Sequence, residues 1–328
     1  MRKNILVTGG AGYIGSHSVL ALHEAGYKVI VLDNLIYGHR EIIETIDGVE
    51  LIIGDISDKK LLNTIFKSKK IDAVMHFSAF AYVGESVINP MKYYNNNLIG
   101  TLNLLNCMID MNVKYFIFSS TCATYGIPNS LPINEDNIQN PINPYGRSKL
   151  MVEKILKDYD AAYGLTSIIF RYFNAAGADP KGRAGENHDP ETHIIPLVLD
   201  VAAGNRDFIS IFGTDYKTKD GSCVRDYIHV TDLANAHILG LEFLLKQQRS
   251  TCFNLGNENG ISVKDIIKTA EKITGSNIAV KEESRRLGDP PILLGSSEKA
   301  KKILGWNPVY NDISTMIKHA WNWHKKII

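Results

Sequence analysis

Short apolar runs alternate with helix-like stretches through the first 175 residues, and this alternation restricts the possible folds more than any other feature. The apolar runs are nearly continuous, as in strands that are buried on both faces of a sheet. The runs expected to form strands are Asn4–Val7, Lys28–Leu32, Val49–Ile53, Ala73–Phe77, Tyr115–Phe118 and Thr166–Phe170. Strands separated by helices predict an α/β fold with a doubly wound, parallel, Rossmann-type sheet.

The character of the sequence changes after Asn174. Residues 175–192 and 213–221 are rich in glycine, proline and polar side chains, which is typical of loops. Helical patterns then cover Val263–Gly275 and Ser296–Leu304. The domains expected are an NAD-binding Rossmann domain over residues 1–175, to which residues 225–255 return, and a smaller substrate-binding region over residues 176–224 and 256–328.

Composition and charge argue against several classes of protein. The 328 residues are 45% apolar and 22% charged with a net charge of +1, which is ordinary for a globular protein and disfavours nucleic-acid or anionic-membrane partners. No apolar stretch reaches the roughly 18 residues of a membrane span. Cysteines at positions 107, 122, 223 and 252 lack metal-ligand spacing, so we expect reduced thiols, a cytoplasmic protein and no metal site.

Three glycines follow the first strand at intervals of three: Gly9, Gly12 and Gly15. Glycine lets a backbone approach a pyrophosphate without a Cβ in the way, and the free amides of the next helix attract the anion. Asp33 ends the second strand 18 residues after Gly15, close to the spacing of about 20 expected for a carboxylate that binds the adenosine ribose. Such a carboxylate would repel a 2′-phosphate. The pattern therefore predicts an NAD site, in preference to NADP or a turn without a ligand.

The segment after the third strand has two interpretations. Asp55 and Ile56 could contact the adenine, or Asp55 or Ser57 could instead cap the helix that follows. The sequence leaves both open.

Tyr145 and Lys149 are four residues apart, on one face of a predicted helix. A nearby ammonium favours the phenolate, and lowering the pKa of a tyrosine from about 10 to about 7 takes roughly 4 kcal/mol. The phenolate would be a general base usable at neutral pH. The same spacing arises often by chance, so the glycine loop upstream is what makes a catalytic interpretation strong.

With these motifs, the chain resembles the UDP-glucose 4-epimerases, a family of extended short-chain dehydrogenases, over essentially its whole length. Many sugar-nucleotide enzymes share the glycine loop and the Tyr/Lys pair, whereas Val83–Ser86 and Val224–Asp232 are more specific to the 4-epimerases. Further matching segments are Thr8–Ser16, Leu32–Asn34, His76–Ala79, Tyr93–Asn96, Ser119–Gly126, Arg171–Asn174, Ile211–Gly213 and Arg285–Asp289.

The resemblance implies reversible inversion at C4 of a UDP-hexose through a 4-keto sugar, with NAD as a retained hydride carrier. It implies that Thr121 completes the catalytic set of Tyr145 and Lys149. Residues implied for NAD, besides Gly9, Gly12, Gly15 and Asp33, are Tyr13, Ile14, Asn34, Asp55, Ile56, Phe77, Ala79, Asn96, Ser119, Tyr145, Lys149 and Tyr172. Residues implied for the UDP-sugar are Thr121, Asn174, His193, Ile194, Phe212, Arg225, Arg286, Asp289 and Leu293.

Three positions depart from the pattern of the family. Ala81 stands where some members carry a lysine near the cofactor pyrophosphate, and His193 replaces an asparagine beside the sugar diphosphate. Leu293 occupies the position that gates the sugar pocket, where tyrosine restricts the pocket and small residues admit N-acetyl groups. Leucine is neither.

Alternative functions differ in the individual residues that they require. A 4-epimerase of UDP-xylose/arabinose or of UDP-N-acetylhexosamines stays open. A sugar-nucleotide dehydratase needs a further acid/base pair just after the catalytic threonine, where this chain has Cys122 and Ala123, so that function is disfavoured. A non-catalytic NAD sensor could lose Tyr145 or Lys149 at no cost, yet both are present.

Dimerisation rests mainly on the resemblance. Met91–Met111 predicts a long helix, and another begins at Tyr145; in the family, this pair of helices forms the interface of a homodimer. The apolar stripe of the first helix, at positions 98, 102, 105 and 109, is equally well explained by packing on the sheet.

Overall fold

A computed structural model gives the fold of the chain and describes residues 2–286 and 290–327. The strands are β1 (Asn4–Thr8), β2 (Lys28–Asp33), β3 (Glu50–Ile53), β4 (Ala73–His76), β5 (Tyr115–Thr121), β6 (Thr166–Tyr172), β7 (Asn174–Ala176), β8 (Ile209–Phe212), β9 (Val224–His229), β10 (Thr251–Leu255), β11 (Gly260–Ser262), β12 (Val280–Glu283) and β13 (Ile292–Leu293). The helices are α1 (Tyr13–Glu24), α2 (Arg40–Glu44), α3 (Lys59–Lys69), α4 (Val83–Ile88), α5 (Pro90–Tyr93), α6 (Thr101–Asp110), α7 (Pro144–Tyr163), α8 (Ile194–Ala203), α9 (Val230–Gln247), α10 (Val263–Thr274), α11 (Glu298–Leu304) and α12 (Ile313–Ile327). A π-helical segment, Tyr94–Gly100, joins α5 to α6, and a 3₁₀ turn, Cys122–Thr124, follows β5.

Seven parallel strands form the central sheet, in the order β10-β6-β5-β4-β1-β2-β3. Successive residues of β1 serve opposite faces, because side chains alternate along a strand. Ile5 and Val7 pack in a core with α1 and α9, whereas Leu6 packs in a second core with α3, α6 and α7. Burial on both faces explains the continuous apolar runs and confirms the predicted doubly wound α/β fold.

The second part of the chain builds a smaller layer and then returns to the sheet. Strand β9 pairs with β7, β11 and β13, while β8 pairs with β12. Helices α8, α10 and α12 share a third core, which includes Ile195, Ile266 and Met316. Strand β9 therefore belongs to this smaller layer, and the return to the central sheet is made by α9, which packs on it, and by β10, which pairs with β6.

The candidate site lies where the strand order reverses. The chain runs outward from β1 through β2 to β3, and then crosses to β4 on the other side of β1. In open α/β sheets such a reversal opens a crevice at the carboxyl ends of the strands, and ligands bind there. Thr8, Asp33, Thr121 and Tyr172 all end strands at this edge.

The helices within residues 2–286 and 290–327 include none that is long and apolar enough to cross a membrane.

Candidate active site

In the glycine loop, the packing of the protein itself requires glycine at positions 9 and 15 but not at position 12. A Cβ on Gly15 would lie 2.0 Å from the carbonyl oxygen of Gly9, and a Cβ on Gly9 would lie 2.5 Å from the Ser78 nitrogen. For Gly12, the nearest atom to an added Cβ is the Gly9 oxygen at an ordinary 3.5 Å. The fold itself would thus tolerate a side chain at Gly12. Because α1 begins directly after Gly12 without a side-chain cap, the open face there presents free amides suited to a pyrophosphate.

Asp33 connects the second strand to the glycine loop. Its two carboxylate oxygens accept the backbone N–H groups of Ala11 and Leu35, both at 2.9 Å. Burial raises the pKa of Asp33, and the two amides act in the opposite direction. The carboxylate is thereby fixed at the carboxyl edge of the sheet. Each oxygen keeps a further lone pair, which suits the hydroxyls of a ribose.

The alternative role of Asp55 or Ser57 as a helix cap is wrong. Helix α3 is capped by Asp58, whose side chain accepts the N–H groups of Lys60 and Leu61. Asp55 instead accepts a 2.6 Å hydrogen bond from Asn34 Nδ2, and so stays beside the end of β2.

The side chain of Ile56 does not face the crevice. It is buried in the core that α3, α6 and α7 share. Only the backbone of Ile56 is left for a cofactor contact.

The loop after β4 lies against the glycine loop. The backbone nitrogens of Phe77 and Ser78 both donate to the carbonyl of Thr8. Three residues on, the Phe80 N–H donates to Asn97 Oδ1, which also accepts the Asn96 amide at 2.9 Å. These hydrogen bonds connect the π-helical segment, which carries Asn96, to the loop that holds Phe77 and Ala79 beside Gly9.

Ala81 is exposed on the same loop. A cation is nevertheless present in this region, because Lys92 Nζ lies 4.1 Å over the ring of Phe80. The same Nζ donates to Glu85 at 2.7 Å and to the Tyr37 hydroxyl at 3.3 Å.

Helix α7 carries the Tyr/Lys pair, and its start is fixed by local sequence. The Asn143 side chain accepts the Gly146 N–H at 2.8 Å, and Pro144 occupies the first helical turn, where its missing N–H costs nothing. Tyr145 is thereby set in the first turn beside Thr121, the last residue of β5, whose hydroxyl acts to lower the pKa of the phenol. Tyr145 and Thr121 meet at the end of β5, and Lys149 contacts the same strand through the Ser119 carbonyl.

The electrostatics of this group differ from the sequence expectation. Burial raises the pKa of Tyr145 to about 12, and the group that acts to lower it is the hydroxyl of Thr121. Lys149 is directed elsewhere: its Nζ donates to the Ser119 carbonyl at 2.7 Å and lies 4.9 Å over the Phe118 ring. Burial lowers the pKa of Lys149 to about 7, against the opposing effect of Glu153. A charged ammonium is therefore costly in this position.

Ser119 joins two other predicted cofactor residues. Its carbonyl accepts from Lys149, and its hydroxyl is hydrogen-bonded to the phenol of Tyr172 at the end of β6. Ser119 thus links Lys149 to Tyr172, through its backbone on one side and its hydroxyl on the other.

A buried ion pair behind β5 was not predicted from the sequence. Arg171 Nη2 lies 2.6 Å from Glu153 Oε2, and Ser120 donates to the other oxygen of Glu153. Arg171 also donates to the Tyr125 hydroxyl at 2.9 Å. Glu153 follows Lys149 by one helical turn, so this pair fixes α7 against β5 and β6 directly behind the catalytic residues.

The predicted UDP-sugar residues come from six separate elements and the loops between them. Leu293 pairs in register with Arg225, and Asn174 Nδ2 donates to the Asp226 carbonyl at 2.9 Å. The guanidinium of Arg286 lies 3.9 Å over the ring of Phe212.

The remaining predicted residues of this wall begin a helix or lie outside the described chain. Ile194 is the first residue of α8, and His193 precedes it; the His193 imidazole does not cap the helix but contacts Glu186 through Nδ1. Asp289 lies outside the described residues.

A cluster of histidines and glutamates was missed by the sequence analysis. Glu186, His188, Glu191 and His193 bring their side chains together beside the glycine-loop helix. The sequence reasoning considered only cysteines as metal ligands. The compact spacing Glu-x-His-x-x-Glu-x-His was the signal available.

Comparisons with known proteins agree with this arrangement. A family model described as GDP-mannose 4,6 dehydratase matches residues 6–319. A curated UDP-glucose 4-epimerase of Halalkalibacterium halodurans is 55% identical, over 98% of this chain and 96% of that protein. A solved UDP-glucose 4-epimerase from Brucella ovis, in complex with NAD, is 47% identical with a TM-score of 0.94 and 98% of each chain covered. Another from Bifidobacterium longum, in complex with NAD⁺ and UDP, is 38% identical with a TM-score of 0.93 and 99% of each chain covered.

Proposed function

The chain belongs to the UDP-glucose 4-epimerase family, and we propose that it interconverts UDP-glucose and UDP-galactose by inversion at C4. The observation that carries this proposal is the meeting of Thr121, Tyr145 and Lys149 at the strand edge that also holds the glycine loop. A hydroxyl, a phenol and an amine beside a dinucleotide cradle are the groups needed to oxidise and re-reduce a secondary alcohol.

The site fits NAD. Gly12 leaves an open face above the uncapped start of α1, and Asp33 stands at the end of β2 where a ribose hydroxyl is expected. When bound, NAD⁺ supplies the acceptor for the C4 hydride and a positive charge that favours the Tyr145 phenolate. The carboxylate of Asp33 would repel a 2′-phosphate, which selects NAD over NADP.

Tyr145 exchanges the proton of the C4 hydroxyl. With a pKa of about 12, the phenol holds its proton firmly in this structure, so it becomes a base only when further positive charge arrives. Thr121 acts on the same phenol and lowers its pKa, so both hydroxyls are available to the reacting oxygen. After the 4-keto sugar turns its other face, Tyr145 returns the proton.

The nucleotide sugar is held at its diphosphate end. Arg225 and Arg286 would each bind two diphosphate oxygens with a planar guanidinium, and Asn174, Ile194 and Phe212 would complete this wall. The Nδ1 of His193 is instead directed to Glu186. Binding energy at the UDP end leaves the hexose ring free to turn. That freedom is what inversion through a ketone requires.

Dehydration, the activity named in the family model, is not supported by the residues after Thr121. Burial raises the pKa of the Cys122 thiol to about 12, and Ala123 offers no ionisable group. Elimination from the ketone would lack its acid/base pair.

A direct assay tests the function. Purified protein is given UDP-galactose, and the UDP-glucose formed is followed by a coupled UDP-glucose dehydrogenase. Turnover in wild type and its loss in Tyr145→Phe are expected. Formation of a 4-keto-6-deoxy sugar in place of UDP-glucose would instead identify a dehydratase.

We also propose that the protein is a homodimer. The outward faces of the helices at Tyr94–Asp110 and α7 expose Ile99 at 50% and Met151 at 41%, and they are joined by the hydrogen bond of the Tyr159 hydroxyl to Asn106. Burying this face against a second copy would remove the exposed apolar surface from water. Ile99→Asp should then yield monomers in light scattering, whereas Val309→Asp, at a 72% exposed tail position, should not.

We also propose that the protein is located in the cytoplasm. A reducing cytoplasm suits the four cysteines, which are free thiols in the structure.

A further inference from the structure

The loop between β7 and α8 brings four side chains with metal-binding atoms to one point. Glu186, His188, Glu191 and His193 each offer an imidazole nitrogen or a carboxylate oxygen, and these atoms lie within 4.8 Å of one another. We call this group the Glu/His cluster, and we propose that it is a structural Zn²⁺ site. The inference goes beyond the epimerase reaction, because it concerns the loop and not the reacting atoms.

The distances within the Glu/His cluster are close to those of a tetrahedral site. His188 Nδ1 lies 3.2 Å from Glu186 Oε1 and 3.6 Å from Glu191 Oε2, and His193 Nδ1 lies 3.9 Å from Glu191 Oε1. His193 Nδ1 also contacts Glu186 Oε1 directly. Zinc–ligand bonds of about 2.0–2.2 Å in a tetrahedron place ligand atoms about 3.4 Å apart. The ligand atoms lie up to 4.8 Å apart, so side-chain shifts of about 1 Å would bring the four atoms around one ion.

A simple hydrogen-bonded cluster leaves one atom unexplained. His188 Nδ1 is buried and has no hydrogen-bond partner, although two carboxylates face it. An unsatisfied buried nitrogen is unusual and requires a physical reason. The two imidazole planes cross at 81°, and both Nδ1 atoms lie against Glu186 Oε1. Loss of both Nδ1 protons, which metal binding requires, would turn two lone pairs toward one region. A cation in that region would satisfy both nitrogens.

Charge and ligand type select the ion. Two carboxylates with two neutral imidazoles carry a charge of −2, which a divalent cation neutralises. Imidazole nitrogens disfavour Mg²⁺ and Ca²⁺, which prefer oxygen, and the lack of thiolates disfavours softer ions. Four protein ligands close a tetrahedron without an open position, which is typical of a structural zinc site.

The surrounding contacts indicate what such an ion would do. The carbonyl of Glu186 accepts from Trp323 Nε1 at 3.0 Å, and that of Pro190 accepts from the Tyr82 hydroxyl at 3.0 Å. The loop is thus tied at its rim to α12 and to the segment before α4. An ion in the Glu/His cluster would fix the centre of the loop, and with it the start of α8 at Ile194.

Cobalt substitution tests the site in untagged protein. The protein is dialysed against a chelator and titrated with Co²⁺, whose visible absorption is intense only in tetrahedral coordination. We expect such bands to saturate at one equivalent, to disappear on addition of Zn²⁺, and to raise the thermal midpoint of the apoprotein. Bands that are absent, or a weak octahedral spectrum, would overturn the proposal.

Substitutions within the Glu/His cluster test whether the ion binds there. His188→Gln and Glu191→Gln should each weaken Zn²⁺ binding at least about a hundredfold, since even outer partners of metal ligands contribute 10- to 100-fold. His23→Gln, which removes an exposed imidazole from α1, is the control and should bind as wild type does. Circular dichroism checks that each variant is folded, and Glu191→Gln is decisive if His188→Gln does not fold. Unchanged affinity in the folded cluster variants would place the ion elsewhere and contradict the assignment.

Discussion

Lys149 Nζ donates a 2.7 Å hydrogen bond to the backbone carbonyl of Ser119, two residues before the catalytic Thr121. The amine thereby joins α7 to β5, and it is not among the groups that shift the pKa of the phenol it was expected to activate. Burial lowers its pKa to about 7, against the opposing effect of Glu153. Lys149 therefore combines a positioning role with a charge that responds to its surroundings.

Tyr145→Phe should lower kcat at least about a hundredfold, the low end for loss of a general base, because the proton of the C4 hydroxyl then has no acceptor. The fold and the amount of bound NAD should not change. Tyr159→Phe is the matched control on the same helix, since its hydroxyl binds only the exposed Asn106 side chain in the described structure. The coupled assay compares both with wild type; near-full activity of Tyr145→Phe would mean that the proton travels by another route.

Lys149→Met should stabilise the fold while it abolishes activity. The folded pKa of Lys149, about 7, lies below its unfolded value of about 10.5, so the unfolded chain binds more protons between these pH values. Wild-type stability should therefore rise from about pH 7 to about pH 10, and the variant should gain about 1–3 kcal/mol at neutral pH and below. Urea unfolding across that range measures the difference. Lys154→Met, at an exposed position on the same helix, should behave as wild type; a destabilised Lys149→Met would show that the hydrogen bond to Ser119 outweighs desolvation.

Gly12→Ala should separate cofactor binding from folding. The added Cβ meets nothing closer than 3.5 Å, so the free energy of unfolding of the apoprotein should change by less than about 1 kcal/mol. Wild type should be purified with NAD bound, because the reaction regenerates the cofactor in each cycle, and Gly12→Ala should lose most of it. Gly15→Ala, with its 2.0 Å approach to Gly9, should instead destabilise the fold. Nicotinamide nucleotide released on denaturation is measured, and full NAD content in Gly12→Ala would place the pyrophosphate elsewhere.

Glu153→Gln should destabilise the protein by about 3–5 kcal/mol, because it leaves the buried guanidinium of Arg171 without its counterion. Activity should fall as well, since a neutral amide offers one oxygen where the carboxylate offers two to Ser120 and Arg171, and Ser120 lies between Ser119 and Thr121. Glu50→Gln breaks a partly exposed pair with Lys69 and should cost at most about 1 kcal/mol. If the two variants unfold at the same denaturant concentration, the buried pair does not support the site.

Leu293→Ser should raise activity on UDP-N-acetylhexosamines selectively. Leu293 lies in register with Arg225 and packs beside Cys122, which puts it on the predicted sugar wall. A methylene-scale fit is worth about 1–3 kcal/mol, so wild type should prefer UDP-galactose by tens- to a few hundredfold. The ratio of kcat/KM for the two substrates is compared in wild type and variant. An unchanged ratio would remove Leu293 from the pocket.

The sequence by itself determined the parallel sheet and the position of the glycine loop between its first strand and first helix. Continuous apolar runs specify strands buried on both faces, and the spacing of Gly9, Gly12, Gly15 and Asp33 is local to one strand–helix–strand unit. These signals are short-range, so they are readable without knowledge of the fold. The long helical stretch from Pro90 to Asp110 was predictable for the same reason, but its π-helical segment was not.

Only the tertiary structure decided which groups meet across long sequence separations. It directed Lys149 to Ser119, paired Glu153 with Arg171, and replaced the expected cap at Asp55 or Ser57 by Asp58. It also buried Tyr145 and Lys149, and burial set the direction of both pKa shifts, which spacing along a helix cannot report. The tertiary structure also decided the Glu/His cluster, because its four side chains come together only when the loop folds back on itself.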